Sequence, residues 1–182
     1  MKIDLVCEGG GVKGLALIGA VCCLEENGYT FERMAGTSAG AIIASLLAVG
    51  YTSSELKTIL YELDFKKLCT KNPICHIPLI GQAISLIKNQ GIVSGNDLEK
   101  YLNSLFIAKG KTKFKDIAID GVSPLKIMAT NITTKELLTL PDDLVKFNID
   151  PMEFEIAKAI RMSIGYQFYF NPVQINENIY EN

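Results

Sequence analysis

At 182 residues the chain is long enough to bury one sizeable core and too short for two comfortable ones. Its composition, 48% hydrophobic and 21% charged, is that of an ordinary globular domain, and a formal net charge of -2 lacks the excess of Lys and Arg that attraction to nucleic acid requires. No stretch reaches the ~18 uninterrupted apolar residues of a spanning helix, because the strongest run, residues 39–49, is short and holds Gly40 and Ser45.

Ile3 to Cys7 is a short apolar run ending in glycines, which predicts a buried strand of a parallel sheet. It starts without the charged, apolar and small-residue sections of a signal peptide, so a cytoplasmic protein is expected, with any membrane contact peripheral. Leu15 to Glu26 predicts a helix stopped at Asn27-Gly28. Tyr29-Thr30-Phe31 opens an extended segment that ends at Gly36, and residues 39–49 follow as a strongly apolar helix.

Thr52-x-x-Glu55 is a capping box for a helix of about ten residues, and Ser94-x-x-Asp97 is a second for Leu98 to Ala108. Between them, residues 77–87 place Ile80, Ala83, Ile84 and Ile87 on one helical face, as a core helix or as a lid or membrane-touching surface. Lys109, Lys111, Lys113 and Lys115 form a basic cluster, ordinarily a solvated loop and alternatively an attraction for anionic head groups. Leu125 to Ala129 reads as a buried strand, Asn131 to Lys135 as a turn, Glu136 to Leu140 as a return strand, and Phe154 to Ser163 as a helix. The five cysteines, Cys7, Cys22, Cys23, Cys69 and Cys75, show no framework spacing and read as buried small hydrophobes. Cys69, Cys75 and His76 lack any C-x-x-C pair, so an ordinary loop is preferred to a metal site.

Gly36-Thr37-Ser38-Ala39-Gly40 is a G-x-S-x-G pattern between a predicted strand and a predicted helix, the context a nucleophile elbow requires. The serine of such an elbow sits on a tight turn, and side chains at Gly36 or Gly40 would collide with the neighbouring strand or helix. The pattern alone arises by chance in roughly one chain in ten to twenty of this length, so a second feature must support it. That feature is Gly9-Gly10-Gly11-Val12-Lys13-Gly14 after the first strand, whose unhindered N–H groups suit an oxyanion hole. The same glycines also fit a dinucleotide fingerprint, with Glu32 near the position of a ribose-binding acid. No Lys-Ser or Lys-Thr pair follows them, which excludes a P-loop. The single histidine, His76, comes too early after Ser38 for the hydrolase order of serine, acid, histidine, so a serine activated by a carboxylate alone is the better proposal.

A G-G-G-x-[KR]-G loop followed by G-T-S-A-G without a catalytic histidine resembles the patatin-like phospholipases. Phe114 to Ile117, Leu125 to Asn131, and Ala159 to Ile164 leading to Phe170-Asn171-Pro172-Val173 are similar to family segments, so the resemblance spans about Ile3 to Asn182. It implies a three-layer α/β/α fold with a mainly parallel central sheet, here one domain over residues 1–182 lacking its C-terminal part. It also implies a Ser-Asp dyad cleaving fatty-acyl esters of phospholipase A or lysophospholipase type, without a cofactor or metal. Ser38 would be the nucleophile, flanked by Gly36, Thr37, Ala39 and Gly40, and Gly9, Gly10, Gly11, Val12 and Gly14 would form the oxyanion loop. The family's aspartate sits in an Asp-Gly-Gly or Asp-Gly-Ala motif after a short strand, here Asn178 to Tyr180, which puts Asn182 at or next to that position. Asp120-Gly121, the chain's Asp-Gly pair, falls too early. An amide cannot take the serine proton, so slow hydrolysis by these residues alone is expected, and a lipid-binding or regulatory module of the same fold is the alternative.

Overall fold

A computed structural model describes residues 1–11, 14–62, 91–93, 95–165, 168–170 and 172–175. The elements run β1 (Lys2–Cys7), α1 (Gly14–Glu26), β2 (Thr30–Thr37), α2 (Ala39–Ala48), α3 (Ser53–Glu62), β3 (Gly91–Val93), α4 (Asn96–Ala108), β4 (Leu125–Asn131), β5 (Glu136–Leu140), α5 (Ile156–Ser163) and β6 (Phe168–Phe170). Two 3₁₀ turns, Phe114–Ile117 and Asp142–Phe147, flank the β4–β5 hairpin.

The main sheet has the order β1-β2-β4-β5, with β1, β2 and β4 parallel and β5 antiparallel to β4. It is a mixed, mostly parallel sheet flanked by helices, the α/β class expected. A second, two-stranded parallel sheet joins β3 to β6 and has no counterpart among the expected elements. Helix α2 packs across β1, β2 and β4, while α5 packs on β4 and touches α2. Helix α1 lies against α2 and α3, and α4 against α5. Helix α2 is apolar nearly all round because it is central: Ala41, Ile43, Ala44, Leu46 and Leu47 are all buried. Leu5, Met34 and Leu125 share one register row, and Cys7, Gly36 and Ile127 another, so alternate residues of three strands face that helix. The expectation of a buried strand is thereby corrected for β1, which is covered on one face alone among the described residues: Lys2, Asp4 and Val6 alternate with the covered positions and stay exposed, Val6 at 80%.

Local signals account for the element ends. Helix α1 stops where Gly28 takes φ 79°, its N–H donating to the Glu25 carbonyl while the Tyr29 N–H reaches that of Leu24. The box at α3 forms as expected: the Thr52 N–H donates to Glu55 Oε2 at 2.8 Å and the Glu55 N–H to Thr52 Oγ1 at 3.3 Å. At α4 the helix begins at Asn96, two residues before the predicted start, and its N-cap is Gly95 at φ 69°. Ser94 lies outside the described residues, so the second box finds no support there. Helix α5 begins at Ile156 instead of Phe154, because Glu155 is extended and bridges to Lys113 as an isolated β-pair. The expected turn after β4 is present, with Asn131 Oδ1 accepting the N–H groups of Thr133 and Thr134.

Two surface expectations change. Cys7 and Cys22 are buried as expected, and burial pushes the Cys7 thiol up, but Cys23 is exposed. In the basic cluster, Lys113 and Lys115 both reach Glu153, at 2.8 and 2.6 Å, and hold its carboxyl down to about 2. Lys109 pairs with Glu55 at 2.8 Å and lies over the Tyr51 ring. Three of the four lysines are therefore committed to carboxylates of the same chain. Cys69, Cys75, His76 and residues 77–87 lie outside the described residues.

Candidate active site

The sequence turns sharply between β2 and α2, and Ser38 is the pivot. Its backbone takes φ 53° and ψ -121°, a conformation that L-residues rarely adopt and that persists only where the surroundings fix it. The two flanking glycines are required by backbone contacts. A Cβ on Gly36 would run into the Gly40 carbonyl and stand 2.6 Å from the Ala41 nitrogen. A Cβ on Gly40 would collide with the carbonyls of Cys7 and Glu8, at the end of β1. Those atoms are main chain and cannot swing aside, so the G-x-S-x-G spacing is dictated by how closely α2 starts beside β1 and β2. Ser38 itself is half-buried, with Thr37 exposed and Ala39 half-buried beside it.

The glycine loop leaves β1 at the same edge of the sheet. Glu8, Gly9, Gly10 and Gly11 are exposed, and Gly11 has φ 55°. A Cβ on Gly9 would stand 3.3 Å from Ser38 Cβ and 3.4 Å from the Thr37 carbonyl oxygen, so the loop lies directly against the elbow. Gly14 differs from its expected place in the loop: it is the first residue of α1, buried, and a Cβ there would come 3.2 Å from Ala39 Cβ. Its small size serves helix packing. Val12 lies outside the described residues.

The Ser38 N–H donates to Ser163 Oγ at 2.9 Å, and that hydroxyl donates to the Met128 carbonyl at 2.6 Å. Ser163 belongs to a segment the sequence marks only by family resemblance, and no local spacing signal singles it out. Two clefts lie nearby. One, with about 750 Å³ of open space, has almost wholly apolar walls: Gly11 of the loop and Ala39, the residue after Ser38, line it together with Ile42, Leu46, Leu98 and Leu102. The other, about 610 Å³, is lined by Thr130, Asn131, Arg161, Pro172 and Val173 among others. Arg161 is 2% exposed; its guanidinium packs against Gly95, and burial lowers its pKa while Glu99 raises it.

Asp120 is not part of this constellation. It sits in a tight turn closed by Ile119 and Val122, before β4 begins. Because β2 and β4 are parallel and Leu125 pairs with Met34, that turn lies at the opposite end of the sheet from Ser38. Among the described residues no carboxylate hydrogen-bonds Ser38. Asn182 and residues 178–180 lie outside the described residues.

The dinucleotide alternative meets a topological objection. A dinucleotide fold carries its glycine loop on a central strand, next to a switch point, whereas β1 here is an edge strand of the described sheet. Glu32, the proposed ribose acid, instead pairs with Lys2 at 3.3 Å.

A mostly parallel sheet with a strand–Ser38–helix elbow and an adjoining glycine loop defines the architecture of an α/β protein of the elbow type. The sequence profile described as Patatin-like phospholipase matches residues 5–180, and the chain belongs to that family. An uncharacterized protein of Bacillus subtilis (strain 168), YqhO, is 40% identical over 176 residues, 96% of this chain and 59% of that protein. A protein of Invertebrate iridescent virus 6 named probable lipid hydrolase 463L is 28% identical over 97% of this chain and 57% of its own length. The chain thus spans less than three fifths of these relatives. Among solved structures, ExoU of Pseudomonas aeruginosa, in its complex with SpcU, matches 95% of this chain and 39% of that one at TM-score 0.58 and 20% identity. VipD of Legionella pneumophila matches 96% of this chain and 44% of that one at TM-score 0.56 and 20% identity. At these identities the structural matches speak for the fold.

Proposed function

We propose that the chain carries the nucleophile and oxyanion loop of a lipid acyl hydrolase of phospholipase A or lysophospholipase type, with Ser38 attacking a fatty-acyl ester. The observation that carries this reading is the backbone of Ser38, held at φ 53° and ψ -121° with Gly9 against its side chain. Strain of this kind costs about 1–3 kcal/mol and concentrates where geometry serves chemistry. The almost wholly apolar walls of the cleft that Gly11 and Ala39 help to line support an acyl chain as the group delivered to Ser38. The name of the viral relative, and a 48-residue match at 42% identity to the lysophospholipase NTE1 of Mycosarcoma maydis, add to the same reading.

In this mechanism Ser38 Oγ bonds to the ester carbonyl carbon as its proton passes to a base. The N–H groups of Gly10, Gly11 and Val12 receive the developing oxyanion, each worth about 3 kcal/mol in the transition state by analogy with measured oxyanion holes. Collapse expels the alcohol with a proton and leaves an acyl ester on Ser38; water then attacks that ester and releases the fatty acid. The family resemblance makes the base an aspartate in the neighbourhood of Asn182.

A fluorophosphonate probe tests the reading directly, since it forms a covalent bond to an activated serine. Ser38 is expected to be the site of labelling by peptide mass analysis, and Ser38→Ala to abolish it. Equal labelling of Ser38→Ala and the parent would sink the proposal.

A further inference from the structure

The link through Ser163 sits where the sheet and the elbow part company. Thr37 and Met128 form the last register pair between β2 and β4. One residue further on, β2 leaves the sheet at Ser38, and a hydroxyl from α5 bridges the two strands: the Ser38 N–H donates to Ser163 Oγ, which donates to the Met128 carbonyl. The bridge needs one group that accepts and donates at once. A serine or threonine hydroxyl does so with a single atom, whereas an alanine methyl does neither. Both partners are partly buried, so losing the hydroxyl leaves a backbone N–H and a carbonyl poorly solvated.

We infer that Ser163 is a positioning residue for Ser38: it locks the peptide entering the elbow and thereby aims the Ser38 hydroxyl at the glycine loop. The same bond occupies the Ser38 N–H. That donor is withdrawn from any oxyanion. The inference rests on the reading of Ser38 as nucleophile only for its catalytic consequence; the bridge itself is a property of the fold.

Two measurements on the 182-residue chain test it separately. The first is amide hydrogen exchange followed by NMR. The Ser38 N–H is expected to be protected in the parent, to exchange at least tenfold faster in Ser163→Ala, and to remain near parent protection in Ser163→Thr. An unprotected Ser38 amide in the parent would overturn the bridge without any variant having to fold. The second is the rate of fluorophosphonate labelling at Ser38, together with ester turnover where it is measurable. Ser163→Ala is expected to lower the labelling rate and kcat by 10- to 100-fold with KM within twofold, and Ser163→Thr to restore both to within threefold of the parent. A general loss of packing would instead not be rescued by the threonine hydroxyl and would shift KM together with kcat. Parent-like exchange and labelling in a folded Ser163→Ala would overturn the inference. Absence of labelling in the parent would count against an activated Ser38 within these 182 residues, a failure of the proposed function and not of the bridge, which the exchange experiment decides on its own.

Discussion

Ser38 and Asp120 share a backbone angle, φ 53° and 51°, at opposite ends of the same sheet. At Asp120 the conformation is local. An aspartate tolerates the left-handed region, Gly121 follows it at φ 77° with nothing within 4 Å of its missing Cβ, and the two bonds between Ile119 and Val122 close the turn. At Ser38 nothing local favours the angle. It is imposed by Gly36 packed on Gly40, Gly40 packed on the end of β1, Gly9 against the side chain and Ser163 on the N–H. A turn that exists for connection is made by its own residues, while a turn that presents a group for chemistry is made by its neighbours.

The contrast breaks most visibly through the glycines. Gly40→Ala is expected to cost about 3 kcal/mol or more, or to prevent folding, because the new methyl meets main-chain carbonyls that cannot move. Gly121→Ala carries the positive φ penalty without any collision and is expected to cost about 1 kcal/mol. Urea denaturation of both variants checks the pair, and equal costs would remove the distinction.

A smaller effect is expected at Asp120 itself. Asp120→Asn keeps a side chain that accepts the left-handed region, so stability is expected to stay within about 0.5 kcal/mol. The rate of phosphonate labelling at Ser38 is expected not to change. A hundredfold loss of labelling in a stable variant would mean that the two ends of the sheet communicate.

The smallest effect is a pH dependence away from both turns. Lys113 and Lys115 hold the Glu153 carboxyl at about 2, below its ordinary 4.5, by hydrogen bonds and charge. A depressed folded-state value stabilises the fold above the unfolded value and loses that contribution as pH falls from about 4.5 to about 2. Stability of the parent is therefore expected to fall more steeply across that window than that of Glu153→Gln, with the two profiles parallel above it. The pair is solvent-exposed, so the difference is modest and shrinks in high salt.

Much of this organisation was legible in the residues. Short apolar runs marked β1 and β4, the extended segment opened by Tyr29-Thr30-Phe31 marked β2, the Asn27-Gly28 stop ended α1, and Thr52 with Glu55 marked α3, because each signal lies within a few residues of the structure it causes. The elbow was legible for a different reason: only glycine fits at Gly36 and Gly40, so a tertiary contact leaves a mark in the sequence. The pairing of β3 with β6 left no such mark. Three-residue strands carry no usable periodicity, and their register joins Gly91 to Phe168, 77 residues further along. Ser163 was visible only as part of a family-like segment, since a serine in the last turn of a helix is unremarkable until Met128 and Ser38 are brought to its hydroxyl. That Gly14 opens α1 was not legible, because a glycine at the end of a loop and one at the start of a helix read alike.

The close approach of Gly14 to Ala39 has an electrostatic side. Gly14 opens α1 and Ala39 opens α2, so the first turns of two helices meet beside Ser38. Each helix carries roughly half a positive charge at its N-terminus, from aligned peptide dipoles and N–H groups without helical partners. Negative charge developing on or next to Ser38 would sit in the summed field of both. That field resides in the main chain, so no side-chain substitution at the site removes it.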